Sequence, residues 1–128
     1  LAAFVTHAAL TADPASDAVI EKLLARLVSL MESAPRFAGW ALAQAETKLS
    51  GPMQIAIVGT PGSALHLAAL AHAPLAAAVA VAPTGTNIAL FAERSRLNDQ
   101  DTAYVCHHFT CQLPVNDPAA LAAQLAEQ

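Results

Sequence analysis

The residues of this chain that could do chemistry lie close together, at Cys106-His107-His108-Phe109-Thr110-Cys111, which holds both cysteines and two of the five histidines. A thiol pair can exchange a disulfide, help to hold a soft metal, or pack as two small apolar groups. Four residues separate the sulfurs, so this is not the C-x-x-C redox motif. A turn after Cys106 could still bring Cys111 back to it, and a disulfide is then possible. Zinc is disfavoured, because neighbouring side chains on a strand point to opposite faces and four ligands within six residues cannot easily form a tetrahedron. The nearest arginine or lysine, Arg96, is ten positions from Cys106, so the local sequence offers no cation to favour a thiolate. The sequence therefore predicts reduced, packing-related cysteines, with a redox or disulfide pair second and a metal site third.

Other candidates are weaker. Gly59-Thr60-Pro61-Gly62-Ser63 occupies a strand-to-helix junction, where phosphate loops occur, but it matches neither the dinucleotide fingerprint nor the P-loop and lacks the latter's lysine. It reads as a tight turn. Ser63 and His66 have no nearby acid to complete a triad. His66 and His72, six apart on one helix, project from different sides. His7 stands alone, and Phe37 and Trp40 read as core.

The elements that must position these residues follow from patterning. Helices are predicted at about 1–11, 14–33 and 36–49. Asp13-Pro14 supplies an N-cap and a first helical residue, and Val19, Leu23, Leu27, Leu30 and Met31 form the apolar stripe of the second helix. Ser50-Gly51-Pro52 ends the third. Continuous apolar runs then predict parallel strands at about 54–58, 77–82 and 102–106, with a helix at 64–72 between the first two. Pro114 excludes Leu113-Pro114-Val115 from a central strand and sends it along an edge or the surface. Asp117-Pro118 starts a last helix at about 119–127. The expected fold is α/β: helical hairpins over 1–50, then a small parallel βαβ unit with a C-terminal helix over 51–128.

Composition narrows the function classes. Hydrophobic residues make up 55% of the 128, but 32 are alanine, and only 12% are charged, about half the usual share. So little charge to wet a surface implies that more protein covers part of it. The opening Leu1-Ala2-Ala3-Phe4-Val5 reads as a helix already under way, so the chain is expected to be a fragment. A net charge of −4 with scattered basic residues argues against nucleic acid. From Leu49 to Ala92 there is no charged residue, yet prolines and glycines break the run before it reaches the ~18 apolar residues of a membrane span. No cofactor, nucleic acid or membrane partner is expected.

Thr102-Ala103-Tyr104-Val105-Cys106, Phe109-Thr110-Cys111, Pro114-Val115 and Asp117-Pro118 together resemble the C-terminal signature of the thioredoxin-domain proteins related to spermatogenesis-associated protein 20. Ala34-Pro35, Gly51-Pro52 and Ile55-Ala56-Ile57-Val58-Gly59 fit the same order of parts. The resemblance implies a much longer cytoplasmic parent with a thioredoxin-like domain, a six-hairpin α/α toroid as in sugar epimerases and glycosidases, and this tail. Residues 1–50 would end the toroid, 51–128 would form the appendage, and the partner would be the rest of that chain. On this view the chain is a structural segment of a parent acting on a carbohydrate-like small molecule. The alternative is a redox role for Cys106 and Cys111 with the thioredoxin-like domain. No catalytic residue carries across.

Overall fold

In the computed structural model, which describes residues 1–127, three helices lead into a four-stranded mixed sheet. The helices are α1 (Ala2–Thr11), α2 (Pro14–Ser33) and α3 (Gly39–Ser50). Asp13 caps α2 as its sequence predicts, its carboxylate accepting from the backbone N–H groups of Ala15 and Ser16. The Ala15 bond and the Ser16 hydroxyl hold that carboxyl below its ordinary pKa. Gly51 ends α3 with φ of 78°, and a Cβ there would overlap the His108 imidazole, so glycine is required on both counts.

The sheet contains β1 (Met53–Val58), β2 (Ala78–Ala82), β3 (Thr102–His107) and β4 (Thr110–Cys111), in the order β2-β1-β3-β4. Helix α4 (Ala64–His72) links β1 to β2, and α5 (Pro118–Ala126) follows the sheet. All six residues of β1 are buried, as the charge-free run predicts for a strand covered on both faces. Alternation then divides the core. Met53, Ile55, Ile57, Ala103 and Val105 pack under α4 and α5 with Leu65, Leu121 and Leu125. Ala56, Val58, Tyr104 and Cys106 face the other way, against Leu90, Phe91 and Leu10 of α1.

β1 and β2 pair in parallel through α4, as expected. The direction of β3 corrects the sequence reading: it runs antiparallel to β1. The reason lies in the connection. A parallel entry needs a crossover back to the far end of the sheet, and residues 83–101 never make it. They hold only a single 3-10 turn at Ala89–Phe91. Asn98 and Asp99, both at positive φ, reverse the chain between the bridged Leu97 and Gln100. The Asp101 carboxylate accepts from the Thr60 N–H beside the end of β1, so the chain re-enters the sheet from the end it left.

Two further expectations fail. Phe37 and Trp40 are 80% and 73% exposed rather than core. No member of the α2 stripe is buried: Val19, Leu23, Leu27 and Met31 are half-buried and Leu30 is 40% exposed, while the buried apolar residue of α2 is Ile20, outside that stripe. Among the described residues no helix is long and apolar enough to cross a membrane.

A buried amide ties the layers together. The Gln54 side chain donates to the Ala9 carbonyl of α1 and accepts from the Phe109 N–H at 2.8 Å. Gln54→Leu keeps the volume and orphans both backbone groups, which costs about 2–4 kcal/mol. Urea denaturation should show that loss, and an unchanged midpoint would refute the tie. A second prediction concerns pH. The folded-state pKa of Asp13 lies below its ordinary 3.8, so its contribution is present above that value and is lost as pH falls through the folded pKa. Wild type should melt above Asp13→Ala at neutral pH, and the gap should narrow below pH 3.8; a constant gap would contradict it.

Candidate functional site

β3 and β4 form a hairpin whose register places Cys106 directly opposite Cys111. Four intervening residues suffice because His107 and Thr110 make the flanking pair and only His108 and Phe109 form the loop. Both loop residues have positive φ, 48° and 63°, the pattern of a two-residue type I′ turn. His107 and Thr110 then form the hydrogen-bonded pair, which makes 106 and 111 the next, non-hydrogen-bonded pair, where side chains stand closest. Their Cα atoms are 3.9 Å apart and the sulfurs are joined in a disulfide.

This overturns the expectation of free, reduced thiols: among the described residues no cysteine is free. The two halves of the bond are not equivalent. Cys106 sits in the interior strand β3 with no exposed surface, as predicted for that position. Cys111, on the short edge strand, is half-buried.

The second correction is the cation. Arg94, twelve positions before Cys106, lies against the sulfurs. Its Nε and Nη2 stand 3.2 and 2.8 Å from Cys111 Sγ, and Nη2 lies 3.8 Å from Cys106 Sγ. The guanidinium is anchored by donating to the carbonyls of Leu90, Ala92 and Phe109, at 2.5, 3.2 and 3.0 Å. It also lies over the Tyr104 ring, 6.0 Å from the centroid. Burial lowers its pKa from the ordinary value, while Tyr104 and Glu93 oppose the shift; an arginine stays charged in proteins all the same. Tyr104 is held in turn by donating to the Ser95 carbonyl at 2.8 Å.

Comparison with known proteins finds no matching family model, no matching curated protein and no matching solved structure. The chemistry must therefore be argued from the site itself.

The histidines of the same stretch do not join the sulfurs. His107 continues the strand and, by alternation, points to the opposite face from Cys106, and the His108 imidazole lies over Gly51. Among the described residues no group of three His, Cys, Asp or Glu side chains could hold a metal ion. In the glycine-bearing loop the donors are used internally. Thr60 N–H bonds to Asp101, Gly62 N–H to His66 Nδ1, and His66 N–H to the Ser63 hydroxyl. A carboxylate on the loop and occupied amides make it a tight turn rather than a phosphate cradle. Ser63 is the N-cap of α4, its hydroxyl accepting from the His66 backbone N–H, while the His66 Nδ1 is taken by the Gly62 N–H rather than turned to the serine. His7 Nδ1 lies 2.7 Å from Ser16 Oγ, which donates to Asp13; the serine stands between the other two, so the order of a triad is absent.

Sequence reasoning missed Arg94 because the contact is tertiary. One signal was present: the six residues from Cys106 to Cys111 fit a two-residue hairpin, which fixes where a third group must arrive. Closing so short a loop restricts the unfolded chain modestly, about 2 kcal/mol on the chain-entropy account. Reduction should therefore lower the unfolding free energy by about 2 kcal/mol and leave the chain folded. Denaturation with and without reductant reads this directly, and complete unfolding on reduction would make the bond a structural staple.

Proposed function

We propose that Cys106 and Cys111 form a thiol–disulfide redox pair, carried on the C-terminal segment of a larger cytoplasmic protein of the thioredoxin-domain, α/α-toroid type. The observation that carries the redox reading is the Arg94 guanidinium, set against Cys111 Sγ by three backbone carbonyls. A neutral disulfide has little use for an anchored cation. A thiolate gains a charge-assisted partner from it, and thiolates are the species that exchange. In a reducing cytoplasm a disulfide is transient and catalytic or sensing rather than permanent, which agrees with the small stabilisation a six-residue closure supplies.

The reaction moves two electrons. A dithiol partner becomes a disulfide, and Cys106–Cys111 becomes two thiols. The thioredoxin-like domain implied by the sequence resemblance is the dithiol we assign to it.

The structural half of the reading is supported by the surface. Phe37, Trp40, Leu49 and Leu75 are all more than 70% exposed, and Trp40 and Leu75 line one cleft between α1, α3 and the start of β2. Large exposed apolar side chains such as Trp40 and Leu75 on one cleft are what a covering domain buries. A sugar-directed activity of the parent rests on the resemblance alone.

Equilibration in graded glutathione buffers, followed by alkylation and mass spectrometry, tests the redox reading. The Cys106–Cys111 bond should open and close reversibly with a midpoint within the range of exchange proteins, about −270 to −120 mV. A midpoint below about −300 mV, as in structural disulfides of secreted proteins, would exclude it.

A further inference from the structure

We propose that the pair is directional: Cys111 is the sulfur through which partners exchange, Cys106 is the resolving sulfur, and Arg94 stabilises Cys111 whenever it carries the charge. This rests on the redox reading and adds to it the assignment of each atom. Three observations point the same way. Cys106 has no exposed surface in the interior strand, whereas Cys111 is half-buried on the edge strand, so Cys111 is the more accessible of the two residues to an incoming sulfur. Both Nε and Nη2 of Arg94 are directed at Cys111 Sγ, at 3.2 and 2.8 Å, but Cys106 Sγ has only the longer 3.8 Å approach. The guanidinium is fixed by carbonyls from two separate segments, Leu90 with Ala92 and Phe109, so it does not depend on the disulfide for its position.

The steps balance as follows. A partner thiol loses its proton to solvent, and the thiolate lone pair forms a bond to Cys111 Sγ. The Sγ–Sγ bond breaks, and its electron pair leaves on Cys106 Sγ, which takes a proton from solvent in its buried position. A second partner thiolate then attacks the partner sulfur of the mixed disulfide. The bond to Cys111 breaks, the electron pair leaves on Cys111 Sγ, and Arg94 holds that charge. The partner departs as a disulfide, and the chain holds two reduced cysteines. In the oxidising direction the Cys111 thiolate attacks a partner disulfide, and Cys106 displaces the partner sulfur to restore the intramolecular bond.

The charged and titratable groups around Cys111 are few. Arg94 faces it directly. Glu93 is exposed beside Arg94, and Tyr104 lies under the guanidinium on the same face of β3. His107 points to the other sheet face, and His108 lies over Gly51. From α1 the packed residue is apolar Leu10, while His7 is bonded to Ser16.

The test uses the small aromatic disulfide 5,5′-dithiobis(2-nitrobenzoate) as the exchange partner. Cys106→Ser, which leaves Cys111 free, should react on the order of 100-fold faster than Cys111→Ser, which leaves only the buried thiol. Its rate should titrate with a midpoint below the ~8.5 of a free cysteine. Adding Arg94→Gln should move that midpoint up towards ~8.5, and Arg94→Lys should restore part of the difference. If Cys111→Ser reacts as fast or faster while the wild-type bond still cycles in glutathione, the assignment fails and the redox reading survives. If the wild-type bond does not cycle at all, the redox reading itself fails. Should either serine variant lose its fold by circular dichroism, limiting iodoacetamide on reduced wild-type protein decides the matter. Carboxamidomethylation must appear first on Cys111, and first labelling of Cys106 overturns the proposal.

Discussion

Six consecutive buried residues in β1 constrain everything else in this chain. A strand that exposes nothing needs a partner on each edge, since unpaired backbone groups in the interior cost as much as lost hydrogen bonds. It also needs an apolar cover on each face. β2 and β3 meet the first need, one in parallel and one antiparallel. Helices α4 and α5 meet the second on one face, and α1 with the 3-10 turn meets it on the other. Gln54 is the polar exception on β1, and its position is informative. It is 2% exposed, and its amide reaches both α1 and the β3–β4 turn. The residue that breaks the apolar run of β1 therefore joins the helical part of the chain to the hairpin that carries the sulfurs.

That constraint explains which features were legible in the sequence. The helices, the β1–α4–β2 unit and both Asp-Pro starts follow from patterns within a few residues of one another, where local physics decides. Asp117 accepts from the Ala120 N–H at 2.8 Å as its motif predicts. Val115 lies on the outer side of β3, bridged to Ala103, as the neighbouring proline requires. What was not legible depends on distance along the chain. The direction of β3 is decided by Asp101 meeting Thr60, forty-one positions apart. The state of the cysteines is decided by a two-residue turn of His108 and Phe109. Neither is among the glycine and asparagine residues that announce such turns, so the spacing of the two cysteines was the hairpin's one mark in the sequence. Phe37 and Trp40 misled for a different reason: aromatic residues predict burial, but not which body buries them.

The disulfide offsets part of the cost of the turn. Non-glycine residues in the left-handed region cost about 1–3 kcal/mol each when held there, and the chain holds two in succession at 48° and 63°. Closure of the short loop returns about 2 kcal/mol. The Phe109 N–H bond to Gln54 and the Phe109 carbonyl bond to Arg94 hold the same turn from both sides. Reduction therefore removes one of several supports and leaves the hairpin standing, so the two sulfurs stay close enough to rejoin. Opening the bond therefore costs about 2 kcal/mol of stability while the other contacts hold the hairpin in place.

Arg94 completes the physical case. A half-buried guanidinium requires compensation, and in the oxidised chain it receives that from three carbonyls and a ring rather than from a carboxylate. Its polar contacts are thus nearly filled, but its charge is not neutralised by a buried anion. Two unit charges 4 Å apart attract by ~4 kcal/mol at the effective dielectric of a protein surface, before solvent screening reduces it. The oxidised pair forgoes that attraction, and the reduced pair gains it on the sulfur that Nε and Nη2 already face. The cation therefore favours the reduced form over the oxidised one, and by linkage it raises the oxidising power of the disulfide, as stabilising a reduced form does in strong thiol oxidants. A structural staple would be served better by an apolar neighbour. On the proposed redox reading, the guanidinium is useful because the bond beside it breaks.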